Sequence, residues 1–235
     1  MQKLLVGILL VAMTTTVASG YSITQPLNFT GQPDYERDLT FNQFDDQGGT
    51  LQLDSVEVVV SVTVQDGALR VDNDAQAPAS GTIEFGADVL VSSTVSLIDN
   101  TFQPIFGMND LKATGGTTLA LGPDDGDGEV GGIPNFSWLG IDFGEYIGQT
   151  EQVTHGGFVD PSVHGQYIGL GTYTITIDAN QVASYTAFSG VQALIDPLTT
   201  SGTVEVTYNY TPEPTTLGLL GIGSLLLSSH RRRTR

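Results

Sequence analysis

The segment Ser55–Gln65 reads S-V-E-V-V-V-S-V-T-V-Q. Val56, Val58, Val60, Val62 and Val64 occupy alternate positions, with Ser55, Glu57, Val59, Ser61, Thr63 and Gln65 between them. A helix would scatter those five valines around its circumference. A strand, whose side chains alternate sides, gathers them on one face. Valine also favours the strand because a helical turn restricts its χ1. A long strand with one apolar face has to bury that face against a second layer. Val58, Val60 and Val62 are therefore expected to face a core, with Glu57 and Ser61 facing outward.

The same period recurs along the chain. In Gly171–Asp178, Tyr173, Ile175 and Ile177 alternate with threonines. In Gly202–Tyr210, Val204, Val206, Tyr208 and Tyr210 alternate with Thr203, Glu205, Thr207 and Asn209. Thr82–Phe85 and Asp88–Ile98 continue the pattern. Gln65-Asp66-Gly67-Ala68 predicts a hairpin turn, since Asp-Gly accepts positive φ, with Ala68–Asp72 as the return strand. A short helical turn is expected only within Asp178–Ser184 or Phe188–Ile195. These patterns predict an all-β fold, an antiparallel β-sandwich of jelly-roll or Ig-like type. Gly115–Gly157 is rich in glycine and holds an acidic cluster and the single tryptophan. It reads as a long irregular insertion, or a pair of irregular hairpins, of the kind that often carries function.

The ends differ from the body. Met1–Gly20 has one positive charge at Lys3, an apolar run Leu4–Met13, and small residues Ala18 and Gly20 at a cleavage-type spacing. It reads as a secretory signal peptide, removed by signal peptidase so that the mature chain starts at Tyr21. The apolar run is too short for the roughly 20 residues of a spanning helix. All 26 acidic residues lie between Tyr21 and Glu213, where Arg37, Arg70 and Lys112 are the only basic side chains, for a charge of −23. Such a body attracts cations and excludes nucleic-acid binding, which needs a basic footprint. The absence of cysteine excludes a disulfide framework, a thiolate metal site and a cysteine nucleophile.

Residues 212–235 form a third kind of segment. Pro212-Glu213-Pro214 leads into the apolar stretch Leu217–Leu227, and Arg231, Arg232, Arg233 and Arg235 follow. Physically this is a stiff hinge, a short membrane-anchoring helix and a basic stop that holds to the cytoplasmic face. The 15 residues Thr215–Ser229 would span about 22 Å as a helix, short of a hydrocarbon core of about 30 Å. The ordered triad of features closely resembles the PEP-CTERM sorting signal of bacterial surface proteins. The resemblance implies recognition by an exosortase, cleavage near Pro212–Pro214, transient inner-membrane contact, and delivery to the cell surface or extracellular matrix.

Within the secreted body, residues 21–211, the stretch from about Leu39 and on into Pro214 resembles the choice-of-anchor E domains. Phe44-Asp45, Gly49-Thr50-Leu51 and the valine strand follow one another as in that family, then Arg70-Val71-Asp72-Asn73, Tyr167-Ile-Gly-Leu-Gly-Thr-Tyr-Thr-Ile, and Val204-Glu-Val-Thr-Tyr-Asn-Tyr ahead of the anchor. No enzymatic activity is attached to the family, so the resemblance implies a surface role and supplies no active site.

Asp124, Asp125, Asp127 and Glu129 place four carboxylates within six residues. Calcium takes oxygen ligands of this kind, but the spacing is not that of an EF-hand, and an exposed acidic turn is the preferred reading. His155 and His164, with Asp160 between them, lack the spacing and the helix that zinc sites use. No G-x-S-x-G or P-loop occurs, and nothing singles out an acid pair for glycoside hydrolysis. No catalytic residue is assigned, no cofactor beyond a candidate calcium is expected, and the chain reads as a non-enzyme. Trp138, with Phe143 and Tyr146, could stack on sugar rings, although capping the sandwich core is the favoured role. The leading function is a surface or matrix structural protein. The alternative is a carbohydrate-binding module or adhesin tied to exopolysaccharide, with an extracellular hydrolase third.

Overall fold

The computed structural model describes residues 20–126, 140–186 and 190–213. Within them run β1 (Tyr21–Gly31), β2 (Tyr35–Asn42), β3 (Leu51–Gln65), β4 (Ala68–Asn73), β5 (Ala79–Ser93), β6 (Lys112–Leu121), β7 (Phe143–Ile147), β8 (Glu151–Phe158), β9 (Thr172–Thr186), β10 (Val191–Asp196) and β11 (Thr199–Pro212). A 3₁₀ turn, Pro161–Gln166, lies between β8 and β9.

All the paired strands are antiparallel. One sheet has the order β1-β11-β3-β8, a second β2-β9-β5-β6, and a third β10-β4-β7. Counting only the eight strands of the two larger sheets, the orders are 1-8-3-6 and 2-7-4-5. This interleaving, in which every successive pair of strands except the fourth and fifth crosses between the sheets, is the jelly-roll order and not the Ig-like one. Both candidate arrangements share the alternating pattern; only the pairing separates them.

The third sheet continues the first. β11 pairs with β3 up to Thr199↔Gln65, and β10 pairs with β4 from Asp196↔Ala68, in the same register. On the other flank, Glu151↔Val64 and Ile147↔Ala68 also share one register. Thus β3 and β4 form one long strand broken at Asp66-Gly67, flanked by two others broken at the same level. Both residues have positive φ, 65° and 71°, as expected for Asp-Gly, but the chain does not fold back on itself. The expected hairpin is therefore a kink. Its cause is tertiary: Gly148 N–H donates to Gly67 O at 3.0 Å, and the neighbouring strands bend with it.

The core lies between the two larger sheets. Val56, Val58, Val60, Val62 and Val64 are at most 3% exposed, as the period-two reading requires. Glu57 and Ser61 lie on the opposite, half-buried face. Burial of five valines contributes on the order of 10 kcal/mol before the entropic cost of ordering the chain. Across from them stand Ile83, Phe85, Ala87 and Val89 of β5 and Tyr173, Ile175, Ile177 and Ala179 of β9. The sheets are also stitched by polar bonds: Tyr173 Oη meets Tyr208 Oη at 2.8 Å, and Tyr208 Oη donates to Asn42 O at 2.9 Å.

Three further expectations change. Asp178–Ser184 is strand, paired from Asp178↔Leu90 to Ser184↔Glu84, and Val191–Ile195 lies in β10. Cross-strand pairing overrides the helical preference of Ala and Gln there. Thr82–Phe85 and the start of the expected Asp88–Ile98 segment join as the single strand β5, which ends at Ser93 short of Ile98. Most of Gly115–Gly157 that is described is regular: it supplies the end of β6, all of β7 and most of β8. Its glycines serve close packing; a Cβ on Gly116 would run into Ile83 O, and one on Gly156 would lie 2.8 Å from Val59 Cα. The N-terminal strand β1 sits at a sheet edge, which is where its Pro26 can be tolerated.

Candidate functional site

Two places draw together the residues that the sequence singles out. The first is the exit of β11. Pro212 pairs with Leu51 at the start of β3, and Glu213 N–H donates to Thr50 O at 3.0 Å. Thr50 belongs to the turn in which Asp46 O accepts from the backbone N–H groups of Gly49, Thr50 and Leu51. The Pro-Glu pair thus leaves the body as extended backbone still attached to the sheet. Pro214, Leu217–Leu227 and the four arginines lie outside the described residues, as does the Met1–Gly20 reading except for Gly20. Among the described residues no helix is long and apolar enough to cross a membrane.

The second place is the end of the molecule beyond the kink, where the β4–β5 and β6–β7 connections meet. Asn73 is fully buried and ties them: its Nδ2 donates to Ala77 O at 2.9 Å and Gly122 O at 2.6 Å, and its N–H donates to Asp142 O at 3.1 Å. Asp124 N–H donates to Ala75 O, and Gly122 N–H to Ile141 O. On this frame Asp124, Asp125 and Asp142 bring one carboxylate oxygen each within 4.8 Å of one another. Asp124 Oδ1 accepts from Gly126 N–H at 2.8 Å and its Oδ2 from Gln76 Nε2 at 3.1 Å. Asp142 Oδ2 accepts from Asp125 N–H at 2.8 Å.

The structure groups Asp124 and Asp125 with Asp142; Asp127 and Glu129 lie outside the described residues. Asp142 is 17 residues beyond Asp125 and carries no local pattern that marks it. Only the fold, by ending β6 beside the start of β7, reveals it.

The other singled-out side chains scatter. Trp138 lies outside the described residues. Phe143 and Tyr146 both sit on β7, opposite Asp72 and Leu69 respectively. Three residues apart on a strand, they point to opposite faces and cannot form one stacking platform. Tyr146 packs against the core, and its hydroxyl end closes on Gly115. His155 lies on β8 with Nε2 2.8 Å from Ile105 O and 3.5 Å from Asp110 Oδ2. His164 is buried in the 3₁₀ turn, which Asp160 caps by accepting from Ser162 N–H. Among the described residues neither histidine joins a group of three candidate ligands.

Phe44, Gly49 and Asn73 have structural tasks here. Phe44 is 2% exposed and packs on Tyr208 and Tyr210, ring centroids 5.8 and 5.1 Å apart. Gly49, at φ 85°, sits in the turn ahead of β3, and Asn73 holds the connections just described.

Residues 211–233 match the PEP-CTERM protein-sorting motif. The motif implies processing by an exosortase, export and sorting to the surface. No curated protein matches the chain. Among solved structures it is similar to the infectious bursal disease virus Gx strain, with 13% identity and a TM-score of 0.22 over 94% of this chain and 50% of that one. It is also similar to turnip yellow mosaic virus, with 20% identity and a TM-score of 0.18 over 83% of this chain and 95% of that one. The chain spans about half the length of the first of these. At such scores the likeness carries no argument about function or assembly.

Proposed function

We propose that the chain is an exported surface or extracellular-matrix protein with a structural, non-enzymatic role. In this reading an exosortase releases it from a transient stop at the inner membrane. The observation that carries the reading is the sorting motif at 211–233, which starts where the last strand ends. A glycine-interrupted apolar stretch makes a weak permanent anchor, because each of Gly218, Gly221 and Gly223 costs about 1 kcal/mol of helix propensity relative to alanine. The basic cluster behind it is an effective stop. Prolines on both sides of Glu213 favour extended backbone, which protease grooves accept. The non-enzymatic part rests on the likeness of the body to choice-of-anchor E domains, to which no activity is attached.

Mass spectrometry of protein extracted from the cell surface is expected to find no peptide beyond about Thr216, in line with a short anchor that an enzyme removes. Intact C-terminal peptides in that fraction would overturn the sorting step, as would a Glu213→Ala variant sorted like the wild type. A glycan array and a broad glycosidase and protease screen on the processed protein test the structural role, which predicts no hit in either.

A further inference from the structure

The acidic group at the far end of the kinked sheet has a property that ordinary surface clusters lack. Asp142 is 1% exposed, and its Oδ1 is buried with no hydrogen-bond partner among the described residues. A buried carboxylate oxygen without a donor loses its hydration and gains nothing in return. The Asp142 carboxylate also stands beside two more carboxylates, which raises the cost further if nothing positive lies between them.

Three oxygens mutually within 4.8 Å lie no further apart than ligand oxygens on opposite sides of one ion with bonds of about 2.4 Å, so they fall within the span of a single coordination shell. The donors are all oxygen, with no histidine or cysteine, which selects a hard cation over zinc or copper. Asp124 keeps lone pairs free beside its two hydrogen bonds, as a carboxylate offers about four acceptor sites. Asp125 is exposed, so water can complete the shell. An irregular set of this kind suits calcium, which accepts variable geometry and bidentate carboxylates. Magnesium demands a tight octahedron at about 2.0–2.1 Å.

We propose that Asp124, Asp125 and Asp142 hold a calcium ion that pins the base of the β6–β7 connection to itself. The ion would supply the partner that Asp142 Oδ1 lacks. It would draw the Asp124-Asp125 turn onto the strand start at Asp142, on the frame that Asn73 holds rigid. The reading is independent of the sorting tail.

Calorimetric titration of the full-length protein with calcium chloride tests it, with magnesium chloride as the control and thermal unfolding run in parallel. One site is expected, with a Kd on the order of 10⁻⁴ to 10⁻³ M, the range of extracellular calcium modules. The unfolding midpoint should rise with calcium and not with magnesium. Asp142→Asn should abolish the heat, and without calcium it should unfold no earlier than the wild type, because an amide ends the carboxylate crowding. Asp125→Asn, at an exposed position, should weaken binding about tenfold or more. If Asp142→Asn does not fold, Asp125→Asn decides. The proposal fails if about 10 mM calcium produces neither heat nor a midpoint shift, since that is tenfold or more above such a Kd. Equal binding of magnesium overturns it too. So does wild-type binding by Asp125→Asn, or loss of binding only on substitution of Asp127 or Glu129.

Discussion

Tyr208 donates to Asn42 O while accepting from Tyr173, and Tyr167 donates to Ser96 O at 2.7 Å, so three buried phenols sit together between the sheets. Burial raises all three from their ordinary value of 10.0, Tyr208 to about 12 and the other two further, with Tyr208 adding to the rise at Tyr167 and Tyr173. A raised value in the fold means that the neutral form is favoured there. The associated stability is intact below pH 10 and is lost as pH climbs from 10 toward 12 and beyond. Absorbance titration of tyrosinate should show these phenols ionising only with a cooperative loss of β circular dichroism above about pH 10. Ionisation of all tyrosines ahead of any structural change would contradict this. At Val60, fully buried between Val204 and His155 in the sheet, substitution by aspartate should cost several kcal/mol in urea unfolding, because it strands a charge in the core. The valine was legible as a core residue because its period is local. The Tyr173–Tyr208 bond was not, because it joins two sheets.

At the scale of elements, the kink governs how three strands turn together. Gly67 has φ 71°, and a Cβ there would lie 2.9 Å from Asp196 O and from Leu198 Cβ. Gly67→Val should therefore destabilise by about 2–4 kcal/mol in chemical unfolding, from strained backbone and clash combined. Beyond the kink, Arg70 on the central strand β4 binds both edges of the small sheet, through Nε to Glu145 Oε2 at 3.2 Å and through Nη1 to Asp196. Its side chain is 14% exposed, whereas Glu145 and Asp196 remain partly hydrated at 35% and 49%. Arg70→Ala should cost about 1–3 kcal/mol, less than a fully buried pair would, and Arg70→Lys should recover only part because an ammonium cannot address both carboxylates in the guanidinium geometry. Taken locally, Asp66-Gly67 favours a hairpin. The dipeptide does adopt positive φ, but its partners decide whether the chain reverses or bends.

At the scale of the molecule, the jelly roll gathers the extended β3–β5, β6–β8 and β9–β11 connections into one additional sheet and leaves the sorting motif on the exit of β11. A cut after Pro214 removes none of the described strands, so the processed and unprocessed proteins should share one thermal midpoint, measurable by calorimetry. Truncation before Tyr208 should instead unfold the body, since it deletes the pairs Tyr208↔Val56 and Ile23↔Tyr208 and the bond to Tyr173. A midpoint that falls on natural processing would mean that the tail contributes to the fold.

The alternation of valine, isoleucine and tyrosine and the Pro-Glu-Pro tail are properties of short stretches of chain, and the cation-poor body is a matter of composition, so all three are legible before any fold is known. A strand's apolar face follows from its own side-chain period, and the sorting motif is read along the chain in order. The tertiary structure alone decided which strands pair, that the order is a jelly roll, that Asp66-Gly67 bends a strand instead of closing a hairpin, and that Asp142 stands with Asp124 and Asp125. Each of these depends on contacts between residues far apart in the chain, where local preference is weak and packing and register choose among alternatives that the pattern leaves equal.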